Sequence, residues 1–164
     1  MARLKQTYKS NAFYGIGIMN TVHEVNIGTL WRSAYIMGAA FIFTVGKPYK
    51  QQSGDVMQSW NKIPLYHYAD IDDLKAHLPY ATRLIGVELT DDAVQLADYQ
   101  HPTTGVYLLG SERDGLAPKV LQACHEVVAL PGHFSLNVAV AGSILLYDRI
   151  SKVPTVLPER GGLR

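Results

Sequence analysis

Five short apolar runs set the narrowest limit on how this chain can fold: YGIGIMN (14–20), FIFTVG (41–46), RLIGVEL (83–89), GVYLLG (105–110) and EVVALP (126–131). Each has the length of a strand and little polar alternation, so both of its faces need cover. Between them lie stretches of helical character. NIGTLWRSAYIMGA (26–39) carries Ile27, Leu30, Trp31 and Ala34 on one stripe, and Gly38 closes it. DIDDLKAHL (70–78) opens with acidic residues, which suits a helix N-terminus. Pro118 begins a further short helix, and FSLNVAVAGSILLYD (134–148) is the last. LYHY (65–68) adds a strand, and the polar stretch after Leu89 has weak helical character through residue 97. Strands alternating with helices predict an α/β domain, with a mainly parallel sheet and helices on both faces.

The 164 residues suffice for one domain (1–164) with a core of its own, and no repeat or linker divides them. With 48% hydrophobic and 18% charged residues the chain reads as globular rather than disordered. Lys and Arg number 15 against 14 Asp and Glu, which excludes a general polycation but allows local basic patches. Such residues gather at Arg3, Lys5 and Lys9, at Lys47, Lys50 and Lys62, and at Lys152, Arg160 and Arg164. Cys124 is the only cysteine, so neither an intrachain disulfide nor a thiolate zinc site is expected. The six histidines lack a ligand spacing, which argues against a metal. MARLKQTYKS lacks the apolar core of a signal peptide, and no run approaches the roughly 20 apolar residues of a membrane span. The expected location is the cytoplasm, with no membrane partner.

In a parallel sheet, ligands bind beyond the carboxyl ends of the strands. Three polar, glycine-bearing segments fall at such ends: NIGTLWR (26–32), GSERDG (110–115) and LPGHFSLN (130–137). Each has a plain structural explanation as well. Asn26 and Ser135 are good N-cap residues, Arg32 could be an exposed helix residue, and GSERDG could be a turn before a proline-initiated helix. Known nucleotide loops do not fit. Gly110 and Gly115 have P-loop spacing, but Leu116 and Ala117 stand where Lys and Ser or Thr are needed. GIGIMN (15–20) offers G-x-G, but Asn20 replaces the third glycine and the stretch reads as strand, which disfavours a dinucleotide-dependent oxidoreductase.

Taken together and in order, the three segments resemble the SpoU (TrmH-like) branch of the SPOUT RNA methyltransferases. Its first motif, N-x-G-x-x-x-R with a later small residue and glycine, is matched by Asn26, Gly28, Arg32, Ala34 and Gly38. The second, G-x-E-x-x-G-L, is matched by Gly110, Glu112, Gly115 and Leu116, and the third by Leu130, Pro131, Ser135, Leu136, Asn137 and Val138. Glu24, Gly132 and Ala139 depart from residues common in the family.

The resemblance implies a deep trefoil knot at the C-terminal end of the domain, a homodimer, and S-adenosyl-L-methionine as cofactor. It implies cofactor binding by Val87, Gly110, Leu130, Ser135 and Leu136. The catalytic set it implies is Arg32, Glu112, Asn137 and Asn26, acting in transfer of a methyl group to an RNA ribose 2′-hydroxyl. Compact members act commonly on tRNA, including the wobble ribose; ribosomal RNA is the alternative substrate, and a non-catalytic RNA-binding relative the rival class. A guanidinium stays protonated in proteins, so clamping a phosphate and stabilising a developing alkoxide suits Arg32 better than proton abstraction. A final helix emerging from a threaded loop is expected to be apolar nearly all round, with small residues where backbones approach closely.

Overall fold

The five apolar runs lie side by side in one sheet, and two edge strands join them. The structure is a computed structural model that describes residues 12–50 and 62–159. The strands are β1 (Phe13–Met19), β2 (Phe41–Val45), β3 (Leu65–Tyr68), β4 (Arg83–Val87), β5 (Val94–Gln95), β6 (Thr104–Leu109) and β7 (Glu126–Ala129). Helices α1 (Glu24–Ile36), α2 (Ile71–Ala76), α3 (Pro118–Ala123) and α4 (Val138–Lys152) connect or follow them. The sheet order is β3-β2-β1-β6-β4-β7-β5, and every strand pair is parallel.

Alternation along the strands divides the core between the two faces. Tyr107 and Leu109 of β6 join α1 and α4 on one side, through Ile27, Leu30, Trp31, Leu145 and Leu146. Val106 and Leu108 face α2 and α3 on the other, through Ile71, Leu74 and Val120. Helices therefore cover both faces, as the strand pattern requires. The glycines of GIGIMN are packing devices in this sheet. A Cβ on Gly15 would lie 2.4 Å from the Phe41 ring, and one on Gly17 would lie 2.4 Å from the Phe43 carbonyl oxygen. The two phenylalanines lie across β1 where a side chain would stand.

Three local expectations are corrected. Helix α1 starts at Glu24 after His23, so Asn26 belongs to the first turn and is not the N-cap. Helix α4 starts at Val138 rather than Phe134, because the Asn137 carboxamide oxygen accepts from the Ala139 and Val140 amides, 2.9 and 3.2 Å away. Ser135 is therefore a loop residue and not a cap. The weak helix through residue 97 resolves into β5 and one 3₁₀ turn, Leu96–Asp98. A two-residue edge strand carries no periodic signal and exists because β7 lies beside it.

Helix α4 is also not enclosed all round. Val140, Ile144 and Tyr147, spaced for one face, are 42–65% exposed. Its contact with α1 is as tight as the small residues suggest: a Cβ on Gly142 would sit 2.5 Å from Leu30, and the Ser143 and Ser33 hydroxyls are hydrogen-bonded at 2.8 Å. No described helix is long and apolar enough to cross a membrane.

Candidate active site

The carboxyl ends of β4, β6 and β7 open into a cleft whose free volume is about 580 Å³, mouth included. Its walls are Val87, Glu88 and Leu89 after β4, Leu109, Ser111 and Glu112 after β6, and residues 130–138 with Ala141 contributing Leu130, Pro131, Phe134, Ser135, Leu136 and Val138. Of the five expected cofactor residues, Val87, Leu130, Ser135 and Leu136 line the cleft. Gly110 lies just behind its wall, between Leu109 and Ser111. It is fully packed, since a Cβ there would strike Gly115 at 2.2 Å.

The loop 110–116 owes its shape to two features. Ser111 and Gly115 form an antiparallel bridge, and Gly115 takes φ +60°, which a residue with a Cβ adopts at a cost. The turned loop presents Glu112 towards the start of α1. There one carboxylate oxygen accepts from Asn26 Nδ2 and from Thr21 Oγ1 (3.4 Å), and the other from the Val22 backbone amide (3.2 Å). Asn26 Oδ1 in turn accepts from Asn137 Nδ2 at 3.1 Å. One residue from each of the three motifs thus meets at Asn26. Partial burial pushes the Glu112 pKa up, but donation from its own backbone amide, the Val22 amide and Asn26 outweighs this and leaves it below the ordinary 4.5.

Arg32 stands elsewhere. Six residues beyond Asn26 on α1, it is about 9 Å further along the axis and on another face. It is exposed, hydrogen-bonds neither Glu112 nor Asn137, and shares its stripe with Val25 and Ile36, which are 63% and 47% exposed. Within one chain, Glu112 and Asn137 fix Asn26 and not the arginine. Gly28 has no atom within 4 Å of where a Cβ would be, so packing inside the chain does not require a glycine there.

Sequence reasoning missed Thr21 and Glu88. Thr21 sits in the turn after β1 with no motif around it. Glu88 carried a readable signal, a carboxylate directly after an apolar strand at the ligand-binding edge of a parallel sheet. The segment 47–64, which carries Lys47, Lys50 and Lys62, is described only at its stems. Trp31 packs edge-on against Tyr49 and donates its indole N–H to the Ile63 carbonyl at 3.2 Å, and the Lys50 amide donates to Glu24 at 3.0 Å. Residues 51–61, and the basic residues Arg3, Lys5, Lys9, Arg160 and Arg164, lie outside the described residues. Among the described residues no cluster of His, Cys, Asp and Glu could hold a metal ion.

Comparisons with known proteins bear on the fold and the family. The chain is 28% identical over 134 residues to the tRNA (guanosine(18)-2′-O)-methyltransferase TARBP1 of Mus musculus, covering 75% of this chain and 8% of that one. It is 27% identical over 139 residues to the tRNA (guanosine(18)-2′-O)-methyltransferase of Escherichia coli K12, covering 79% and 60%. The chain thus spans less than two thirds of these relatives. Among solved structures, the TrmH/SpoU tRNA modifying enzyme of A. aeolicus superposes with a TM-score of 0.76 at 20% identity, covering 88% of this chain and 79% of that one. A structure concerning 2-OH methylation of C/U34 on tRNA gives 0.75 at 19% identity, covering 87% and 97%. The AdoMet-bound rRNA methyltransferase of Sinorhizobium meliloti gives 0.76 at 22%, covering 85% and 56%. The family model for the SpoU rRNA Methylase family matches residues 15–147, from the first strand into the last helix, and the chain belongs to that family.

Proposed function

We propose that the chain is an S-adenosylmethionine-dependent RNA ribose 2′-O-methyltransferase acting on tRNA, with the wobble ribose as one candidate target. One observation carries the reading: the cleft at the ends of β4, β6 and β7 is walled by the second and third motif loops, and Glu112, Asn26 and Asn137 tie those loops to the first. Relatives named for tRNA methylation support the substrate, and the C/U34 neighbour matches along 97% of its length.

The cleft suits the cofactor. Its apolar walls, Val87, Leu109, Leu130 and Leu136, can enclose an adenine ring while backbone groups of the loops read the ring's polar edge. When bound, S-adenosylmethionine supplies the methyl group that the ribose hydroxyl accepts. Glu112 and Asn137 hold the loops in register through Asn26. Arg32 offers a planar cation for an RNA phosphate and for the charge developing on the attacking oxygen.

The same reading includes a homodimer and a trefoil knot. For the dimer, the support is two open stripes on neighbouring helices: Val25, Arg32 and Ile36 on α1, and Val140, Ile144 and Tyr147 on α4. Burying them against a second copy removes apolar surface from water and brings Arg32 to the contact. For the knot, the support is the strand order: β7 lies between β4 and β5, which are joined directly by residues 88–93.

Incubation of the purified protein with S-adenosylmethionine and tRNA, followed by nucleoside mass spectrometry, tests the activity. A 2′-O-methylated nucleoside is expected. Methylation of ribosomal RNA alone would overturn the substrate, and no transfer to either RNA would overturn the activity. Arg32→Ala is expected to abolish transfer, change stability by no more than about 0.5 kcal/mol and leave cofactor affinity within a few-fold, as followed by calorimetry and urea unfolding. Arg32→Lys restores little, because a point charge does not replace the planar fork. Sedimentation is expected to give twice the 18.1 kDa chain mass.

A further inference from the structure

Two carboxylates, Glu88 and Glu112, line the cleft, and they differ in what they have left to offer. Glu112 already takes the Thr21, Val22 and Asn26 donors. Glu88 takes two: Oε2 accepts the Leu116 amide at 2.7 Å and Oε1 accepts the Leu89 amide at 3.0 Å. A carboxylate has about four acceptor positions, so Glu88 keeps roughly one free on each oxygen. Its position is also fixed. The Leu116 amide and the Gly115 backbone hold it from one side, since a Cβ on Gly115 would fall 2.4 Å from Oε2. The Glu88 amide donates to the Val128 carbonyl at 3.0 Å, which anchors its backbone to β7.

A clamped carboxylate with one acceptor position open per oxygen matches two neighbouring hydroxyl donors. The cleft offers few alternatives: besides the two glutamates, its polar side chains are Ser111 and Ser135. A carboxylate at the end of a parallel strand, facing a nucleoside site, commonly takes ribose hydroxyls for this reason. Bonds to a charged acceptor are among the stronger hydrogen bonds, and here they would form in a partly dry, apolar cleft.

We propose that Glu88 binds the vicinal 2′,3′-diol of the cofactor's ribose, and so selects a ribonucleoside for this cleft. The inference rests on the S-adenosylmethionine reading above. Glu88 has a second task in holding the loop 110–116, and the test must separate the two.

The test is calorimetric titration of the unsubstituted protein and of Glu88→Gln with S-adenosylhomocysteine and with its 2′-deoxy and 3′-deoxy counterparts. In the unsubstituted protein, loss of either hydroxyl is expected to weaken binding on the order of ten- to a hundredfold. Glu88→Gln is expected to weaken S-adenosylhomocysteine to a similar degree and to bind the deoxy compounds almost as well as the parent. Such non-additivity identifies a direct contact. Two results would overturn the proposal: a loss under about threefold for the deoxy compounds in the unsubstituted protein, or an equal loss for all three ligands in Glu88→Gln, which marks a loop strut only. The first comparison needs no variant and stands even if Glu88→Gln fails to fold. If the unsubstituted protein binds neither S-adenosylmethionine nor S-adenosylhomocysteine, the cofactor reading falls and this one with it; binding without hydroxyl discrimination removes this one alone.

Discussion

Asn26 has both ends of its carboxamide committed, donating to Glu112 and accepting from Asn137, and it is 5% exposed. Removing it takes the acceptor from Asn137 Nδ2 and one of the donors from Glu112. Asn26→Ala is expected to cost about 1–3 kcal/mol in urea unfolding. It should also raise the Glu112 pKa towards 4.5, which carboxyl-resolved NMR titration reads directly. The sign follows from linkage. A carboxylate whose folded pKa is depressed stabilises the fold above its ordinary pKa, and that contribution fades as pH falls through the folded value. In Asn26→Ala the contribution is smaller, and its fading, which begins at the same unfolded-state pKa, is complete at a higher pH. The residue types at these three positions were legible in the sequence. Their mutual bonds were not, because Asn26 and Asn137 are separated by nearly the whole domain.

At the scale of elements, the close approach of β1 to its neighbour explains why two glycines sit in the middle of a strand, where glycine is otherwise unfavourable. Gly17 is the stricter of the two, because the atom nearest to an added Cβ is the Phe43 carbonyl oxygen rather than a side-chain end. Gly17→Ala is therefore expected to destabilise the protein by about 1–3 kcal/mol, measured by chemical denaturation, although alanine is ordinarily the better strand residue. The pair of helices α1 and α4 shows the same economy of space, with Gly142 against Leu30 and Ser143 bonded to Ser33. Strand and helix types followed from periodicity except at residues 94–98. The start of α4 did not, because the capping residue is one of three polar or loop-compatible candidates before an apolar run, and only the Asn137 geometry selects it.

Across the whole molecule, the end of α4 is fastened to the sheet far from the cleft. Arg149, fully buried, donates to the Pro102 and Thr103 carbonyls and to the Tyr107 hydroxyl, at 2.7–2.9 Å, and lies 4.5 Å from the Tyr14 ring centre. His101 bridges Tyr107 (2.7 Å) and Asp148 (2.9 Å), and Asp148 also pairs with Lys152 at 2.8 Å. Since Asp148 only accepts, the His101 proton is assigned to Nε2, and Nδ1 takes the Tyr107 hydroxyl proton. Burial holds the His101 pKa below its ordinary 6.5 against the pull of Asp148. The unfolded chain then binds more protons than the folded one between that lowered value and 6.5, so stability is full above about pH 6.5 and falls as pH drops below it. Urea midpoints between pH 7.5 and 5 should show this decline, and His101→Gln should flatten it.

The sequence by itself determined the parallel α/β class, the burial of the strands and the three loops at their carboxyl ends, because these depend on local periodicity and on residue type at fixed spacing. Only the tertiary structure decided that Asn26 is a hub instead of a cap, that Glu88 is clamped in the cleft wall, and that Arg32 stands apart from Glu112 and Asn137. It also decided that the G-x-G of β1 serves two phenylalanine rings, and that α4 keeps one apolar stripe open. Each of these depends on which segments meet in space, and the meeting is set by strand order. With β6 between β1 and β4, and β7 beyond β4, residues distant in the chain become neighbours, and no local pattern encodes that order.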